Sequence, residues 1–208
     1  MHIIDEMQDS IKEASYDKEH TEYMTESMMQ VCQFDKVKEW YIANKIPLAN
    51  PNPKSNDALY FHDEAVFFME FKNGKIDNRV NFEINKKIYD SMFILFDLKY
   101  CDKKGNNVDS VSYTRKNMEY ILVYNEEQYK KSGDTSQGKE GINRQKSRNS
   151  SQSSHRTQLY KAVRNLANKE LILFGLDQFK NYLFKDVHTY TEEEFQKNFI
   201  KKYDKELQ

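Results

Sequence analysis

The stretch DALYFHDEAVFFMEFKNG, residues 57–74, decides the fold of this 208-residue chain. Two aromatic-rich apolar runs flank the polar pair Asp63-Glu64, which is typical of a β-hairpin. Neither run alternates between apolar and polar residues, so both strands are expected to be covered on both faces, as at the centre of an α/β sheet. A turn centred on the polar pair fixes the register of the hairpin. The opposed pairs that it predicts are Phe61 with Val66, Leu59 with Phe68, and Asp57 with Glu70.

The segments around the hairpin change between helical and strand-like patterns. Residues 16–45 lack Gly and Pro and carry apolar residues at helical spacing, which predicts one or two helices. A second helix is predicted over 80–98, followed by a short apolar strand over 120–124. The remaining predictions are a polar loop or insertion at about 126–157, a helix over 156–168, an apolar segment over 171–174, a strand near 182–188, and a helix that begins at a capping box of Thr191 and Glu194. Together these elements predict a single α/β domain over residues 1–208, with a central mixed sheet flanked by helices.

Composition excludes several classes of protein. The chain has 32 Lys and Arg against 33 Asp and Glu, so a polyanion would have to be bound by a local basic patch. Cys32 and Cys101 are too few for a disulfide framework or a four-thiolate zinc site, which favours a cytoplasmic protein. The longest apolar runs, 65–69 and 92–96, are too short to cross a membrane, and the acidic start of the chain is unlike a secretory signal. The His residues lack metal-binding spacing, and no glycine-rich phosphate loop is present.

Asp57, Glu70 and Lys72 are the candidate catalytic residues. Side chains alternate along a strand, so Glu70 and Lys72 point to the same face. In the predicted register the carboxylates of Asp57 and Glu70 are opposed, with their Cβ atoms about 4.5–5.5 Å apart. Carboxylates this close repel each other unless a cation lies between them, and Mg²⁺ or Mn²⁺ accepts such ligands together with water and phosphate oxygens. The Lys72 ammonium group is then placed to orient or deprotonate an attacking water, or to stabilise charge on a phosphate.

Asp57, followed after twelve residues by Glu70-Phe71-Lys72, resembles the Asp…Glu-x-Lys signature of the PD-(D/E)XK nuclease superfamily. The order of helix, hairpin, helix and strand over residues 20–125 is similar to the αβββαβ core of that restriction-endonuclease-like fold. The resemblance implies a divalent-metal-dependent nuclease that acts on nucleic acid, with DNA as the expected substrate. It implies metal ligation by Asp57, Glu70 and the carbonyl oxygen of Phe71, with Lys72 positioning the water. It also implies a homodimer as a possible assembly, since many such nucleases cut both strands as dimers.

The resemblance extends to the two helices. Several members of the superfamily carry a polar or basic residue on the helix after the motif, and Lys87 is the candidate here. Lys87 lies one turn after Glu83, and Glu four residues before Lys is also an ordinary helix-stabilising pair. Several members also carry an acidic residue on the first helix, for which Glu39 and Glu26 are both candidates.

The chain departs from the family pattern at two places. Asn56 stands where the family name has proline, and residues 46–50 are too short and proline-flanked to be the family's first strand. An alternative interpretation makes Glu70 and Lys72 a simple ion pair at a strand end, which suits a non-catalytic nucleic-acid- or protein-binding module on the same fold. A basic segment over 141–158 could follow a phosphate backbone or could be a solvated loop. Its cations are Arg144, Lys146, Arg148 and Arg156.

Overall fold

The computed structural model describes residues 2–48, 50–99, 110–133 and 171–204. The strands are β1 (Gln8–Ser10), β2 (Tyr16–Asp17), β3 (Glu22–Tyr23), β4 (Gln30–Gln33), β5 (Ala58–His62), β6 (Ala65–Lys72), β7 (Met118–Tyr124) and β8 (Asp186–Thr191). Six of them form a mixed sheet in the order β1-β4-β5-β6-β7-β8, and β2 pairs with β3 in a separate ribbon. The sheet is antiparallel from β1 to β6 and parallel from β6 to β8. The predicted α/β class with a central mixed sheet is confirmed.

The helices flank this sheet. They are α1 (Ile3–Glu6), α2 (Ile11–Ala14), α3 (Phe34–Lys45), α4 (Asn78–Asp97), α5 (Val111–Asn117), α6 (Glu126–Gly133), a 3₁₀ turn (Leu176–Phe179), α7 (Glu192–Phe195), a π-helical turn (Gln196–Ile200) and α8 (Lys201–Tyr203). Within the described ranges, no helix has the length and apolar character needed to cross a membrane.

The hairpin forms in the predicted register. Phe61 lies opposite Val66 and Leu59 opposite Phe68, and the ladder ends at Ala58. Six consecutive residues of β6 are buried, which confirms that this strand is covered on both faces. Cores on both faces of the sheet explain the absence of alternation. Helices α3 and α4 pack over a hydrophobic core on one face of the sheet. The C-terminal helical residues pack over a second hydrophobic core on the other face.

Helix α4 confirms the second predicted helix. Asp77 caps its N-terminus, because its carboxylate accepts from the backbone N–H groups of Arg79 and Val80. Ile84 and Ile88 are fully buried on its inner face. The strand over 120–124 and the capping box at Thr191 are also confirmed.

The helical prediction for residues 16–45 is wrong in its first half. Helix α3 begins only at Phe34, and β2, β3 and β4 lie within residues 16–33. Apolar residues that match helical spacing are instead buried along an extended chain, where Val31 belongs to one core and Cys32 to the other. Strand β4 gains hydrogen-bonding partners on both sides, β1 and β5, and this long-range pairing overrides the local pattern. In the short segment 46–50, the described residues 46–48 and 50 form no strand.

Two later predictions need correction. Helix α6 occupies the first eight residues of the segment 126–157, which was predicted as a loop. The strand expected near 182–188 is β8, which begins four residues later, because residues 182 and 183 form a turn and Phe184 makes only an isolated bridge with Lys180. The rest of that polar segment and the predicted helix over 156–168 lie outside the described residues.

Candidate active site

The hairpin brings the two predicted carboxylates together. Asp57 lies one residue before β5, and its backbone N–H donates to the carbonyl oxygen of Met69 at 3.1 Å. Its carboxylate accepts from the backbone N–H of Phe71 at 2.7 Å. Because Ala58 is paired with Met69, the next position along each strand sets Asp57 against Glu70. The strand register alone therefore holds both acidic groups at one end of the hairpin.

Helix α4 contributes an ammonium group that joins the two carboxylates. Lys87 Nζ lies 3.1 Å from Asp57 Oδ1 and 2.7 Å from Glu70 Oε1. Lys72 Nζ lies 2.7 Å from the same Glu70 oxygen. All four predicted catalytic residues thus belong to one cluster of two negative and two positive charges. We call Asp57, Glu70, Lys72 and Lys87 the charge cluster.

The hairpin and the helix are fixed to each other beside this cluster. The backbone N–H of Asn56 donates to Ser91 Oγ on α4 at 2.8 Å. One helical turn separates Ser91 from Lys87, so this bond sets the height of α4 against the start of β5. The Lys54 N–H donates to Asp90 of the same helix at 2.7 Å. The position of Lys87 is therefore determined by the packing of α4 as well as by its own ion pairs.

The charge cluster is largely buried, and this burial together with its own charges shifts the pKa values of Asp57 and Lys87. The Glu70 side chain is fully buried, whereas Asp57, Lys87 and Lys72 keep 16%, 17% and 25% of their surface exposed. Burial, followed by the charge of Glu70, raises the pKa of Asp57 to about 6, although Lys87 and Lys72 oppose the shift. Burial alone would lower the pKa of Lys87, but the charges of Asp57 and Glu70 outweigh it and raise that pKa. Lys87 therefore stays charged, whereas the pKa of Asp57 lies close to neutral pH.

This raised pKa predicts a pH-dependent difference between the wild type and Asp57→Asn. The folded-state pKa of about 6 exceeds the ordinary aspartate pKa of 3.8, so the wild type loses stability as pH rises through this interval. The loss amounts to about 3 kcal/mol at most, since one pKa unit corresponds to about 1.4 kcal/mol. We expect D57N to match the wild type in urea unfolding at pH 4 and to exceed its stability at pH 7.5, both without metal. An unfolding free-energy difference that stays constant between these pH values would contradict the assignment.

Sequence reasoning missed Tyr120, a residue of β7 that completes the wall of the cluster. Tyr120 is fully buried, and its hydroxyl has no hydrogen-bond partner among the described residues. Burial, with the charges of Glu70 and Asp57, raises its pKa well above the ordinary value, so the hydroxyl stays protonated. The Glu70 Oε2 atom is likewise buried without a partner in the described part of the chain. A tyrosine in an apolar strand carries no sign of this placement in the sequence.

A cleft of about 880 Å³ opens beside the charge cluster. Asp57, Phe71 and Lys72 line it, together with residues from α3, α4 and the N-terminal segment. Glu39 is one of the lining residues of α3, which favours it over the other first-helix candidate. Glu26 lies outside any helix and pairs with Lys12 at 2.5 Å. The prediction of Glu26 as a helical site residue is therefore wrong, since the chain is extended there.

The oxygen ligands beside the cleft form a small set for a divalent metal ion. Among the residues that the structure describes, no group of three or more His, Cys, Asp or Glu side chains is placed to hold a metal ion. The available ligands are the carboxylates of Asp57 and Glu70, with the carbonyl oxygen of Phe71 as the third predicted ligand. Mg²⁺ suits such a small set, because it commonly binds one or two carboxylates and completes its shell with water and phosphate oxygens. The unpartnered Glu70 oxygen fits this role, provided that the Lys87 ammonium group moves from between the carboxylates.

His62, His188 and Cys32 form no competing catalytic centre. His62 lies beside Asp63 at the hairpin turn, with 3.5 Å between its Nδ1 and Asp63 Oδ2. His188 contacts Glu119 at 3.1 Å near the other end of the sheet. Cys32 is buried, which raises the pKa of its thiol to about 12 and makes it a poor nucleophile. Cys101 and the basic segment over 141–158 lie outside the described residues.

Comparison of the chain with protein-family models, curated proteins and solved structures found no match. The geometry of the charge cluster and the cleft beside it are therefore the basis for assigning a function.

Proposed function

We propose that this protein is a divalent-metal-dependent phosphodiesterase that cleaves nucleic acid, with DNA as the first substrate to test. The observation that carries the proposal is the placement of Asp57 opposite Glu70, with Lys72 two residues along the same strand face. The structural context adds to it. The antiparallel β5 and β6 are followed by α4 and by β7, which runs parallel to β6. This order supports a restriction-endonuclease-like core as the finer description of the fold.

Each residue of the charge cluster has a role in this proposal. Asp57, Glu70 and the carbonyl oxygen of Phe71 would hold Mg²⁺ or Mn²⁺ at the edge of the cleft. The bound ion would neutralise charge on the scissile phosphate and acidify the attacking water. Lys72, which is the most exposed member of the cluster, would orient that water and stabilise the charge that develops on phosphorus-bound oxygens.

Lys87 would serve the same site in two states. In the structure its ammonium group joins the two carboxylates and reduces their repulsion. When a divalent ion takes over that role, Lys87 would be released to contact a phosphate oxygen. The proposal thus explains why a half-buried helix position carries a charged residue whose only described hydrogen-bond partners are the two candidate metal ligands.

The same lysine supports the competing proposal of a binding module without catalysis. Its ammonium group contacts one oxygen of each carboxylate, and Glu70 has no exposed surface. Such a module would bind nucleic acid or a protein partner through the cleft, with the charge cluster as part of its core. Metal-dependent turnover separates the two proposals, because only the nuclease requires it.

The test is cleavage of plasmid, linear and branched DNA by the purified protein, with Mg²⁺, Mn²⁺ or a chelator. The nuclease proposal expects cleavage of at least one substrate with either metal and none with the chelator. DNA binding that is independent of metal, without cleavage of any substrate, would favour the binding module. Cleavage that continues in the chelator would contradict the metal-dependent mechanism.

We further expect divalent metal to stabilise the folded protein. A ligand that binds only the folded state adds about 2.7 kcal/mol of unfolding free energy at a hundred times its Kd. Thermal melts across a Mn²⁺ titration should therefore show a rising Tm for the wild type and no rise for D57N. Glu83→Gln is the matched control, because Glu83 lines the cleft but does not belong to the charge cluster. A flat wild-type curve up to millimolar Mn²⁺ would contradict the proposed metal site.

A further inference from the structure

The outer face of α4 carries an apolar stripe that is exposed to solvent. Phe82 and Phe93 keep 69% and 71% of their surface exposed, and Tyr89 between them keeps 42%. At about 100° per residue these three aromatic residues fall within an arc of roughly 40°. They face away from the fully buried Ile84 and Ile88 of the same helix. Exposed aromatic side chains grouped in this way are typical of an interaction surface.

Charged residues extend the stripe with opposite sign at its two ends. Arg79 lies near the N-terminus of α4 with 86% of its side chain exposed, and Asp97 is the exposed last residue. Both lie within about 60° of the stripe around the helix. Lys86 and Asp90, which pair with each other, lie between these ends on the same side. The stripe is therefore basic toward one end, acidic at the other and aromatic in the middle.

We propose that this face of α4 binds α4 of a second copy of the chain in an antiparallel pair with two-fold symmetry. In a two-fold interface, every contact between a residue of one copy and a different residue of the other copy occurs twice. Along α4, the midpoint between Phe82 and Phe93 lies only half a residue from the midpoint between Arg79 and Asp97. This difference is about 0.8 Å of helix rise. A single two-fold axis near the middle of α4 therefore aligns both aromatic contacts and both opposite-charge contacts. A parallel arrangement would instead set like charges against each other.

The helix is long and firmly held, as such an interface requires. Its 20 residues span about 30 Å, so the two Arg79–Asp97 contacts would enclose the aromatic contacts between them. Tyr89 is already held against Phe179 at 5.6 Å between ring centroids, which fixes the centre of the stripe on the domain. Lys87 lies on another side of α4, so the dimer leaves the charge cluster accessible. The proposal does not depend on the nuclease assignment.

The first test measures the oligomeric state by sedimentation equilibrium at micromolar concentrations. We expect the wild type to be a dimer, and Phe82→Glu and Phe93→Glu each to raise the dissociation constant at least about 30-fold, since interface aromatic residues are common hot spots. Leu48→Glu is the matched control, because Leu48 is 95% exposed and is not part of α4. A monomeric wild type, or a dimer equally sensitive to L48E, would overturn the proposal.

The second test uses charge reversal to read the antiparallel arrangement. Arg79→Glu and Asp97→Arg each replace both opposite-charge contacts by like-charge contacts, so each variant alone should dissociate about tenfold more readily. Mixing R79E with D97R should restore wild-type affinity, because both contacts in the mixed dimer are again between opposite charges. Lys45→Glu, on an exposed position of α3, controls for net charge. Failure of the mixture to recover would overturn the antiparallel pairing. If D97R does not fold because Tyr41 loses its hydrogen bond to Asp97, recovery is tested with Asp97→Asn, whose amide oxygen still accepts from the Tyr41 hydroxyl. Mixed with R79E, this variant leaves one opposite-charge contact and no like-charge contact, so the mixture should bind more tightly than R79E alone.

Discussion

Glu70→Gln is expected to lower the rate of metal-dependent DNA cleavage by at least about 100-fold, the usual scale for loss of one charge-stabilising group at a reaction centre. The amide keeps the size of the side chain but removes the negative charge that would hold the metal. Glu70 is fully buried between two lysines, and Asp57 is the only other carboxylate of the charge cluster. Lys72→Met should have a comparable effect on the rate while leaving metal binding intact.

Two variants on the wall of the same cleft serve as controls. Lys36 lines the cleft and pairs with Asp9 at 2.9 Å, so Lys36→Met tests for a general loss of positive charge. Glu83→Gln does the same for negative charge. Initial rates measured with excess Mg²⁺ should fall steeply only for E70Q and K72M. Equal activity of E70Q and the wild type would show that the cleavage comes from another site or another protein.

Lys87→Met is expected to destabilise the metal-free protein by about 3–5 kcal/mol, the cost of removing one partner from a buried ion pair. The two carboxylates that Lys87 joins would remain close together without it. The loss should be larger at pH 8 than at pH 5, because Asp57, with its pKa near 6, is mostly protonated at the lower pH. Urea unfolding at both pH values, in the presence of a chelator, measures the effect.

The neighbouring lysine supplies the control for this variant. Lys86 pairs with Asp90 at the usual four-residue helical spacing on the more exposed side of α4. Lys86→Met should therefore cost only about 0.5 kcal/mol. Adding Glu70→Gln to Lys87→Met should recover much of the lost stability, since it removes one of the two uncompensated charges. If K87M is no less stable than K86M, Lys87 does not hold the charge cluster together.

The residues of the hairpin could be predicted because their signal is local. Asp63-Glu64 interrupts two apolar runs, which fixes the turn, and the turn then sets Asp57 against Glu70 through the two-residue period of a strand. Lys87 was predicted only from the resemblance, which implies a polar or basic residue on the helix after the motif. The helical period of α4 buries Ile84 and Ile88, and Lys87 lies beside them, but whether it reaches the hairpin depends on how α4 packs.

The remaining parts of the site depend on contacts between distant segments. Residues 16–33 match a helical spacing, yet β4 is a strand because β1 and β5 offer hydrogen bonds on both sides. The N-terminal wall of the cleft, which includes Asp17 and His20, follows from that pairing and has no local signal. Tyr120 is similar, since only the parallel pairing of β7 with β6 brings it near Glu70.

The central claim is that Asp57 and Glu70 together hold one divalent metal ion. Its most direct test is a titration of the protein with Mn²⁺ in which the free ion is counted by electron paramagnetic resonance. We expect one bound Mn²⁺ per chain for the wild type. This bound ion should be retained in E83Q and K72M and lost in both D57N and E70Q. Absence of bound Mn²⁺ in the wild type at millimolar metal, or unchanged binding in E70Q, would contradict this claim.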